Sequence, residues 1–386
     1  MSITIFSFAM SVLFSTIFIA AIHVLRNRDF FLRSFGVHTI LFLYALCFFR
    51  ALVVLELPFA LPVGLRNAYS QAFEALWSAR MQVDDASIRL PLVLCGVWLV
   101  VAVTLILQFF WMNQKVAQKL SWCCGSPTSF AGGVLARVKS ESRRKPDVSL
   151  CVCPMLDVPM GIGVFQKQIL LPDAAYTREE TYYILKHEYA HFCNRDLLIK
   201  FLVRMFCCVF WWNPAVYLLK RDIAQILEIK CDMKATEGFS KKERLEYLLT
   251  IVRVLKGVDD PDPGASSILA TGMICRKNGG DIRERFELMA REARPVGRVC
   301  QGAFLSLAVT AVVLSYTFVL QSAFDPPVED IFTDGVVQEV ITTGAYILEH
   351  KNGSYSLVLL DGTEIPLTDM AAQIYIDANY TVSKEE

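Results

Sequence analysis

The sequence lacks the usual signatures of nucleotide and nucleic-acid binding. It contains no Gly-rich phosphate-binding loop and no array of basic and aromatic residues, and its formal net charge is zero. Charged residues are scarce as well, at 20% of the chain, against roughly 25% in soluble domains. Hydrophobic residues, in contrast, reach 54%, with a mean hydropathy of +0.41, and they occur in long runs. This pattern is typical of a membrane protein and gives no reason to expect nucleic acid as a partner.

Four apolar runs are long enough to cross a bilayer, which requires about 20 residues per helix. They cover residues 3–25, 35–57, 90–112 and 299–324. The first run lacks a basic n-region and an A-x-A-like cleavage site, so it predicts a retained span and not a signal peptide. We therefore expect four parts, which are three transmembrane helices in 1–113, a domain in 114–298, a fourth transmembrane helix in 299–324 and a small tail in 325–386.

Positive charge predicts the orientation of these spans. The short loop after the first run carries three arginines against one aspartate, and residues 114–145 carry seven lysines or arginines against one glutamate. Both segments are expected in the cytoplasm, because basic loops remain on that side. The tail from residue 324 onward has twelve acidic residues against two lysines and fits the outside. We therefore expect a multi-pass protein of the cell membrane, with the 114–298 domain in the cytoplasm and both termini outside it.

The cysteines agree with this orientation. All twelve lie at or before Cys300, and neither the predicted outer loop 58–90 nor the tail contains one. None of the close pairs has the spacing of a zinc ribbon. The distribution predicts reduced thiols and no disulfide scaffold.

Local patterns predict the elements of the 114–298 domain. Residues 121–147 mix small, proline and basic residues and are predicted as a linker, and 148–153 and 168–171 as strands, with Pro159 and Gly161 at the turn between them. Thr177 and Glu180 form a capping box at the start of a helix that ends near Asn194. Residues 197–212 are apolar but too short and too charged for a confident span, so we expect them to pack against the spans or lie at the membrane interface.

The remaining elements follow from breakers and periodicity. Pro214 starts another helix, and amphipathic or charged helices are expected over 241–256 and 281–294. In the tail, strands at 346–349 and 355–360 form a β-hairpin, and a second turn precedes 364–367.

The clearest chemical motif is His187-Glu-Tyr-Ala-His191 within the capped helix. Two histidines four residues apart lie one turn apart on the same helix face, where they can bind one metal ion. The chain has five histidines, and two of them fall here. The H-E-x-x-H pattern is the helix signature of zinc peptidases. The alternative is that the two histidines and Glu188 are simply solvated on an exposed face.

A hydrolytic zinc site needs three protein ligands and one open position for water. The other three histidines of the chain are in or beside spans or in the tail, and are poorly placed to be the third ligand. We therefore choose Glu228, on the helix after Pro214, with Asp232 one turn later to accept the free ring N–H of a ligand histidine. Glu188 is then the general base that takes the proton of the attacking water. Arg221 either orients Glu228 or contacts substrate, and a surface salt bridge is equally compatible with its position.

These residues resemble the BlaR1/MecR1-type membrane metallopeptidases of family M56. The resemblance covers about residues 154–235 and rests on motifs in a fixed order: Pro159-Met-Gly161, Ile169-Leu-Leu-Pro172, His187-Glu-Tyr-Ala-His191, Arg195-Asp196, Trp212-Asn-Pro214, and Glu228 with Cys231-Asp232. Together with the apolar runs, it predicts a mainly α membrane protein with four transmembrane helices and a gluzincin-like α+β zinc peptidase domain between the third and fourth. The small β-rich tail predicted above is expected to follow the fourth helix. The resemblance also implies a Zn²⁺ site with His187, His191 and Glu228 as ligands and Glu188 as the catalytic residue.

The resemblance further implies proteolytic signalling. In the antibiotic-sensing members, an external penicillin-binding domain detects β-lactam and the inner peptidase then acts on itself and on a repressor. The tail of this chain is too short for such a domain and lacks an S-x-x-K motif, while Ser142-Arg-Arg-Lys145 is an accidental match within the predicted linker. We expect a zinc endopeptidase acting on a cytoplasmic or membrane protein, possible substrates being a repressor or itself. The alternatives are a receptor or scaffold that signals by binding, and a housekeeping membrane protease.

Overall fold

The computed structural model describes residues 5–27, 29–55, 60–65, 75–76, 79–83, 86–126, 128–154, 156–256, 284–288, 296–322, 346–351, 353–358, 364–367, 372–373, 376 and 381–384. The helices are α1 (Ile5–Arg26), α2 (Asp29–Leu52), α3 (Leu90–Cys123), α4 (Ser129–Glu141), α5 (Arg178–Cys193), α6 (Asp196–Val209), α7 (Pro214–Ala235), α8 (Lys241–Lys256) and α9 (Arg298–Leu314). The strands are β1 (Leu61–Leu65), β2 (Arg80–Val83), β3 (Ala86–Arg89), β4 (Ser149–Val152), β5 (Met160–Ile162), β6 (Gln168–Leu171), β7 (Phe318–Ser322), β8 (Tyr346–Glu349), β9 (Tyr355–Val358), β10 (Glu364–Leu367) and β11 (Val382–Lys384). The chain forms two compact units, Met1–Gln321 and Ser322–Glu386.

Three helices among the described residues are long and apolar enough to cross a membrane. They correspond to α1, α2 and α3, which agree in position, length and composition with the first three predicted spans, although α2 begins six residues earlier than expected, at Asp29. The helix tolerates a break at Gly36, whose φ of 78° suits glycine and hinders residues with a Cβ. The first two helices pack side by side and share a core of apolar side chains.

The predicted fourth span is only partly helical. Helix α9 ends at Leu314, and residues 318–322 form strand β7, which pairs with β1. The predicted range 299–324 was therefore too long, because an apolar run cannot by its composition distinguish a helix from a short strand. At 17 residues, α9 is about 25 Å long, which is near the lower limit for a transmembrane helix.

The predicted linker 121–147 contains a helix. Helix α4 is capped by Thr128, whose side chain accepts a hydrogen bond from the backbone N–H of Ala131. Its buried residues recur at helical spacing and pack against α5: Ala131, Val134, Leu135 and Val138. The linker prediction was wrong because glycine and serine on the outer face obscured this apolar stripe.

A three-stranded sheet lies beside α5, in the order β4-β6-β5. Strands β4 and β6 are parallel and were predicted, whereas β5 pairs antiparallel with β6. Gly161 is therefore a strand residue and not part of the predicted turn. Strand β5 lies at one edge of this sheet, next to α5.

One disulfide contradicts the prediction of reduced thiols. Cys124, just after α3, is bonded to Cys151 in β4, with their Cα atoms 5.6 Å apart. The adjacent residues Gly125 and Val152 form a β-bridge, which brings the two cysteines side by side. Nothing in the spacing of the two cysteines along the chain indicated this contact.

Helices α6 and α7 pack against the first three helices, as predicted for residues 197–212. The indole of Trp98 in α3 donates a hydrogen bond to the carbonyl of Val209, at 2.8 Å. At the turn between α6 and α7, the side-chain amide of Asn213 donates to the hydroxyl of Thr16 in α1, also at 2.8 Å. Apolar residues of α6 and α7 join the core formed by α1 and α2. One face of the first half of α7 therefore packs against α1 and α2.

The second unit is a small sheet in the order β10-β9-β8-β11. The β8–β9 hairpin and the antiparallel strand β10 confirm the hairpin and the third strand predicted for the tail. The turn predicted before residue 364 lies outside the described residues. Strand β11, parallel to β8, was not predicted.

Candidate metal centre

Helix α5 presents the two motif histidines from its buried face. The capping box of Thr177 and Glu180 fixes its first turn, as predicted. Tyr189 and Leu185 are buried against α4 and the sheet, and this packing fixes the rotation of the helix about its axis. His187 and His191 are 5% and 6% exposed, so the interpretation of a solvated surface pair is wrong.

Helix α7 brings Glu228 to these histidines. Nε2 of His187 lies 3.4 Å from one carboxylate oxygen of Glu228, and Nε2 of His191 lies 3.6 Å from the other. One potential ligand atom from each of the three residues lies within 4.8 Å of the other two. Three donors that converge from two helices match the number of protein ligands in a hydrolytic zinc site.

Asp232 lies behind His187, one turn after Glu228. Its carboxylate is 3.2 Å from Nδ1 of His187 and accepts a 2.7 Å hydrogen bond from the hydroxyl of Tyr247. That hydroxyl is also 2.8 Å from Nδ1. Arg285 donates to both carboxylate oxygens, at 2.6 and 2.7 Å. Nδ1 of His187 is thus engaged in hydrogen bonds, which leaves Nε2 directed at Glu228.

Asp196 lies behind the other histidine, His191, and engages its Nδ1 atom. The turn between α5 and α6 places Arg195 in the left-handed region, with φ of 58°, and α6 then begins at Asp196. The Asp196 carboxylate lies 3.0 Å from Nδ1 of His191, and it accepts hydrogen bonds from Cys231 at 2.9 Å and Lys230 at 3.1 Å. Asp196 belongs to the Arg195-Asp196 motif, but the sequence predicts no role for it. Its position five residues after His191, at the start of the next helix, was the available signal.

The cation beside Glu228 is Lys200 of α6, which donates a 3.1 Å hydrogen bond to the carboxylate. Arg221, a sequence-based candidate for orienting Glu228, is exposed to solvent. Lys200 was assigned no role because it lies within an apolar stretch. Its side chain is 10% exposed and reaches the site only through the packing of α6 on α7.

The site is electrostatically prepared for a cation. Burial alone lowers the pKa of His187, but hydrogen bonds with Asp232 and Glu228 outweigh it and raise that pKa to about 10. Burial raises the pKa of Glu228, yet the charges of Lys200 and His191 hold it well below its usual value. The two histidines are therefore surrounded by ionised carboxylates, and both rings direct Nε2 at Glu228. This donor set and its acidic surroundings fit Zn²⁺.

Glu188 lies between this cluster and the edge strand β5. A Cβ atom placed on Gly161 would lie 3.4 Å from a carboxylate oxygen of Glu188 and 2.9 Å from the ring of Phe192. The backbone of β5 therefore passes close to Glu188, and only glycine leaves this much space. Glu188 itself is half-buried, which leaves part of its side chain accessible from outside.

Comparison with known proteins agrees with the geometry. The model of the family described as BlaR1 peptidase M56 matches residues 64–288. The chain is 31% identical over 111 residues to the regulatory protein BlaR1 of Bacillus licheniformis, an alignment covering 28% of this chain and 18% of that one. It is 29% identical over 112 residues to the methicillin resistance mecR1 protein of Staphylococcus aureus, covering 28% and 19%. The chain thus spans less than a fifth of the length of either relative.

Proposed function

Because the chain belongs to the BlaR1-type peptidase M56 family, we propose that it is a membrane zinc endopeptidase with a regulatory role. The observation that carries the proposal is the convergence of His187, His191 and Glu228, with a separate carboxylate behind each histidine. Surface clusters of acidic residues are common, but a buried pair of oriented histidines is costly to maintain without a purpose.

The geometry supports one role for each of these residues. His187, His191 and Glu228 hold the zinc ion, which when bound activates a water molecule and polarises the scissile carbonyl. Glu188 accepts the proton of the attacking water and passes it to the leaving amine. Asp232 and Asp196 hold the imidazole rings in the tautomer that directs Nε2 at the ion. Lys200 holds the carboxylate of Glu228 in place.

The substrate is a protein segment in extended conformation. Strand β5 pairs with β6 on one side, and no strand pairs with its other side among the described residues. An extended segment can add to such an edge through backbone hydrogen bonds. Because Gly161 in β5 lies against Glu188, a segment bound there brings a peptide bond to the assigned base.

We assign the site to the cytoplasmic surface of the membrane and α9 to the fourth span. Helix α9 packs along α2, with Phe304 against Phe31 and Phe35 and with Gln301 donating to Thr39 at 2.8 Å. The basic loop after α1 and the basic segment after α3 then lie on the same side as the metal centre, as expected for a cytoplasmic site. Disulfides persist mainly in oxidising compartments, but two basic segments outweigh a single cysteine pair in this assignment.

The decisive test is Glu188→Gln, with Glu179→Gln on the exposed first turn of the same helix as its matched control. Purified wild-type protein in detergent or lipid should bind about one zinc ion, and Glu188→Gln should bind it equally but cleave nothing. Replacing His187 and His191 by Ala should remove the metal. Well-folded wild-type protein without affinity for zinc would reject the enzyme assignment and favour a receptor or scaffold.

The substrates are found by comparing the proteomes of cells that express the wild-type or the Glu188→Gln form. A short list of cleaved proteins supports regulation, whereas a broad list of damaged proteins indicates a housekeeping protease.

The orientation in the membrane has its own test. An external protease added to intact cells should digest tags at both termini, because both termini are assigned to the outside.

A further inference from the structure

A short helical segment, residues 284–288, lies between the membrane helices and the metal centre. Its side chains contact the membrane helices and the metal centre in turn, at the spacing expected of a helix. Residues 284, 287 and 288 contact the membrane-spanning part, and residues 285 and 286 contact the surroundings of the metal centre. Positions i, i+3 and i+4 share one helix face, so the segment presents one face to each partner. We call residues 284–288 the connecting segment.

Two ion pairs and one apolar contact hold the membrane-facing side. Glu284 accepts a 2.9 Å hydrogen bond from Arg26, at the end of α1. Glu287 lies 3.6 Å from Arg33 in α2. Leu288 packs against the apolar core shared by α1, α2 and α7. The connecting segment is therefore attached to both of the first two membrane helices.

The other side is attached to the metal centre. Arg285 makes the two-pronged hydrogen bond to Asp232, and Phe286 packs against the apolar cluster that contains Tyr183 and Tyr247. Asp232 in turn lies 3.2 Å from Nδ1 of His187. Asp232 is 1% exposed, and a buried carboxylate depends strongly on the partner that compensates its charge. Arg285 is thus, with Tyr247, one of the two side chains that hold Asp232 against the ring of His187.

Adjacent residues join the two sides. Glu284 and Arg285 are consecutive in one helical turn, so a shift of Arg26 that moves the backbone at Glu284 also reaches the backbone at Arg285. Arg26 is itself 4% exposed and pairs with Asp222 on α7 at 2.7 Å. Since α7 also carries Glu228, two of the three candidate ligands are linked to the end of α1.

We propose that the connecting segment couples the arrangement of the first two membrane helices to the zinc site, and that Arg285 is a positioning residue for His187 acting through Asp232. The inference rests on the proposed zinc site. A membrane helix that moves changes the placement of Arg285 and hence the geometry of metal binding. Such coupling gives a signal received at the membrane a physical route to the peptidase.

The first experiment measures zinc affinity by chelator competition for the full-length protein and Arg285→Gln. Partners behind a ligand histidine are worth about 10- to 100-fold in affinity, so we expect Kd to rise about tenfold in Arg285→Gln. Arg285→Lys should recover part of this loss, because it keeps the charge without the planar fork. The matched control is Arg253→Gln, an exposed arginine paired with Glu180, which should bind zinc like wild type.

Cobalt substitution separates positioning from a general loss of stability. The visible absorption of bound Co²⁺ reports ligand geometry, and we expect the band to shift in Arg285→Gln and to remain unchanged in Arg253→Gln. If Arg285→Gln does not fold, the comparison is made with Arg285→Lys. Wild-type zinc affinity and an unchanged cobalt spectrum in the Arg285 variants would overturn the inference. Wild-type protein that binds no zinc would instead overturn the proposed function.

The second experiment tests the link to the membrane helices with a double-mutant cycle. Glu284→Gln does not touch the metal centre, yet it should raise the zinc Kd by about threefold, within the range of coupling between distant sites. In the Arg285→Gln background the same substitution should have no further effect on the zinc Kd, because the contact between residue 285 and Asp232 that transmits it is already lost. Unchanged affinity in the single variant, or additive effects in the double variant, would reject the coupling.

Discussion

The carboxylate of Asp196 lies 3.0 Å from Nδ1 of His191, and the equivalent atom of His187 lies 3.2 Å from Asp232. The two carboxylates come from different helices, one from the first residue of α6 and one from the last turns of α7. Each histidine therefore has its own acidic partner. This arrangement allows the contribution of one histidine to be changed while the other stays in place.

Replacing Asp196 by Ala should weaken zinc binding about 10- to 100-fold, because His191 loses the acceptor that orients its ring. Lys230 also loses its partner, so we expect some loss of thermal stability. Chelator competition measures the first effect and thermal unfolding in detergent measures the second. Asp157→Ala, which alters an exposed aspartate, is the control. Zinc affinity within twofold of wild type in the Asp196 variant, on the order of experimental scatter, would show that the ring of His191 is oriented by packing alone.

Gly161 provides a test of the substrate edge. In Gly161→Ala the new methyl group would lie 2.9 Å from the ring of Phe192 and 3.4 Å from Glu188. Phe192 is 3% exposed and has little room to move, so β5 and Glu188 should separate. We expect cleavage to fall roughly tenfold to a hundredfold, the usual effect of a small misplacement of catalytic groups, while zinc content stays unchanged.

The control for this substitution is Gly133→Ala in α4, where nothing lies within 4 Å of the new Cβ. It should leave cleavage unchanged and stabilise the helix by about 0.5–1 kcal/mol. Equal cleavage by both alanine variants would remove β5 from the substrate site.

The parts of the site that could be predicted are those encoded locally. The spacing of His187 and His191 and the capping box at Thr177 are set within one helix. Glu228 and Asp232 are one turn apart on another helix, so choosing the first as a ligand placed the second behind it. On a regular helix, the spacing of residues along the sequence fixes their relative positions in space.

The parts that could not be predicted depend on contacts between distant segments. Lys200 reaches Glu228 because α6 packs on α7, and Arg285 reaches Asp232 although the two residues are 53 positions apart in the sequence. Neither residue lies in a sequence motif that would indicate a role in the metal centre. The disulfide between Cys124 and Cys151 and the early end of α9 at Leu314 likewise depend on strand pairing formed after the chain folds.

The metal-free protein should lose stability in alkali. The pKa of His187 is raised to about 10, compared with about 6.5 in an unfolded chain. A raised histidine pKa contributes stability that is complete below the lower value and is lost as the pH rises through the higher one. Thermal unfolding of metal-free protein should therefore show a falling midpoint between about pH 7 and pH 10.

Zinc affinity should increase as the pH rises from about 7 to about 10, the range in which the stability of the metal-free protein falls. Binding displaces the proton from His187, so affinity should increase by up to about tenfold per pH unit for each proton displaced. Competition titrations at several pH values measure this slope. A flat profile between about pH 7 and pH 9 would show that His187 is already neutral in the metal-free protein.

Asp222 should be one of the most sensitive positions outside the metal centre. It is fully buried in α7 and accepts hydrogen bonds from Arg26 at 2.7 Å and from Tyr44, and it lies 2.7 Å from Nδ1 of His23. Removal of one member of a buried charge network typically costs about 3–5 kcal/mol, because the partner charge remains buried. We expect Asp222→Ala to lower the midpoint of thermal unfolding in detergent strongly.

Two comparisons make the Asp222 prediction specific. Glu237→Ala breaks an exposed pair with Lys234 and should change stability by less than about 1 kcal/mol. Asp222→Asn keeps the shape and one acceptor and should be intermediate. Asp222 precedes Glu228 by about 9 Å along α7, so loosening its attachment to α1 should also weaken zinc binding. Stability equal to that of Glu237→Ala would mean that packing of α7 on α1 and α2 holds the ligand helix without this carboxylate.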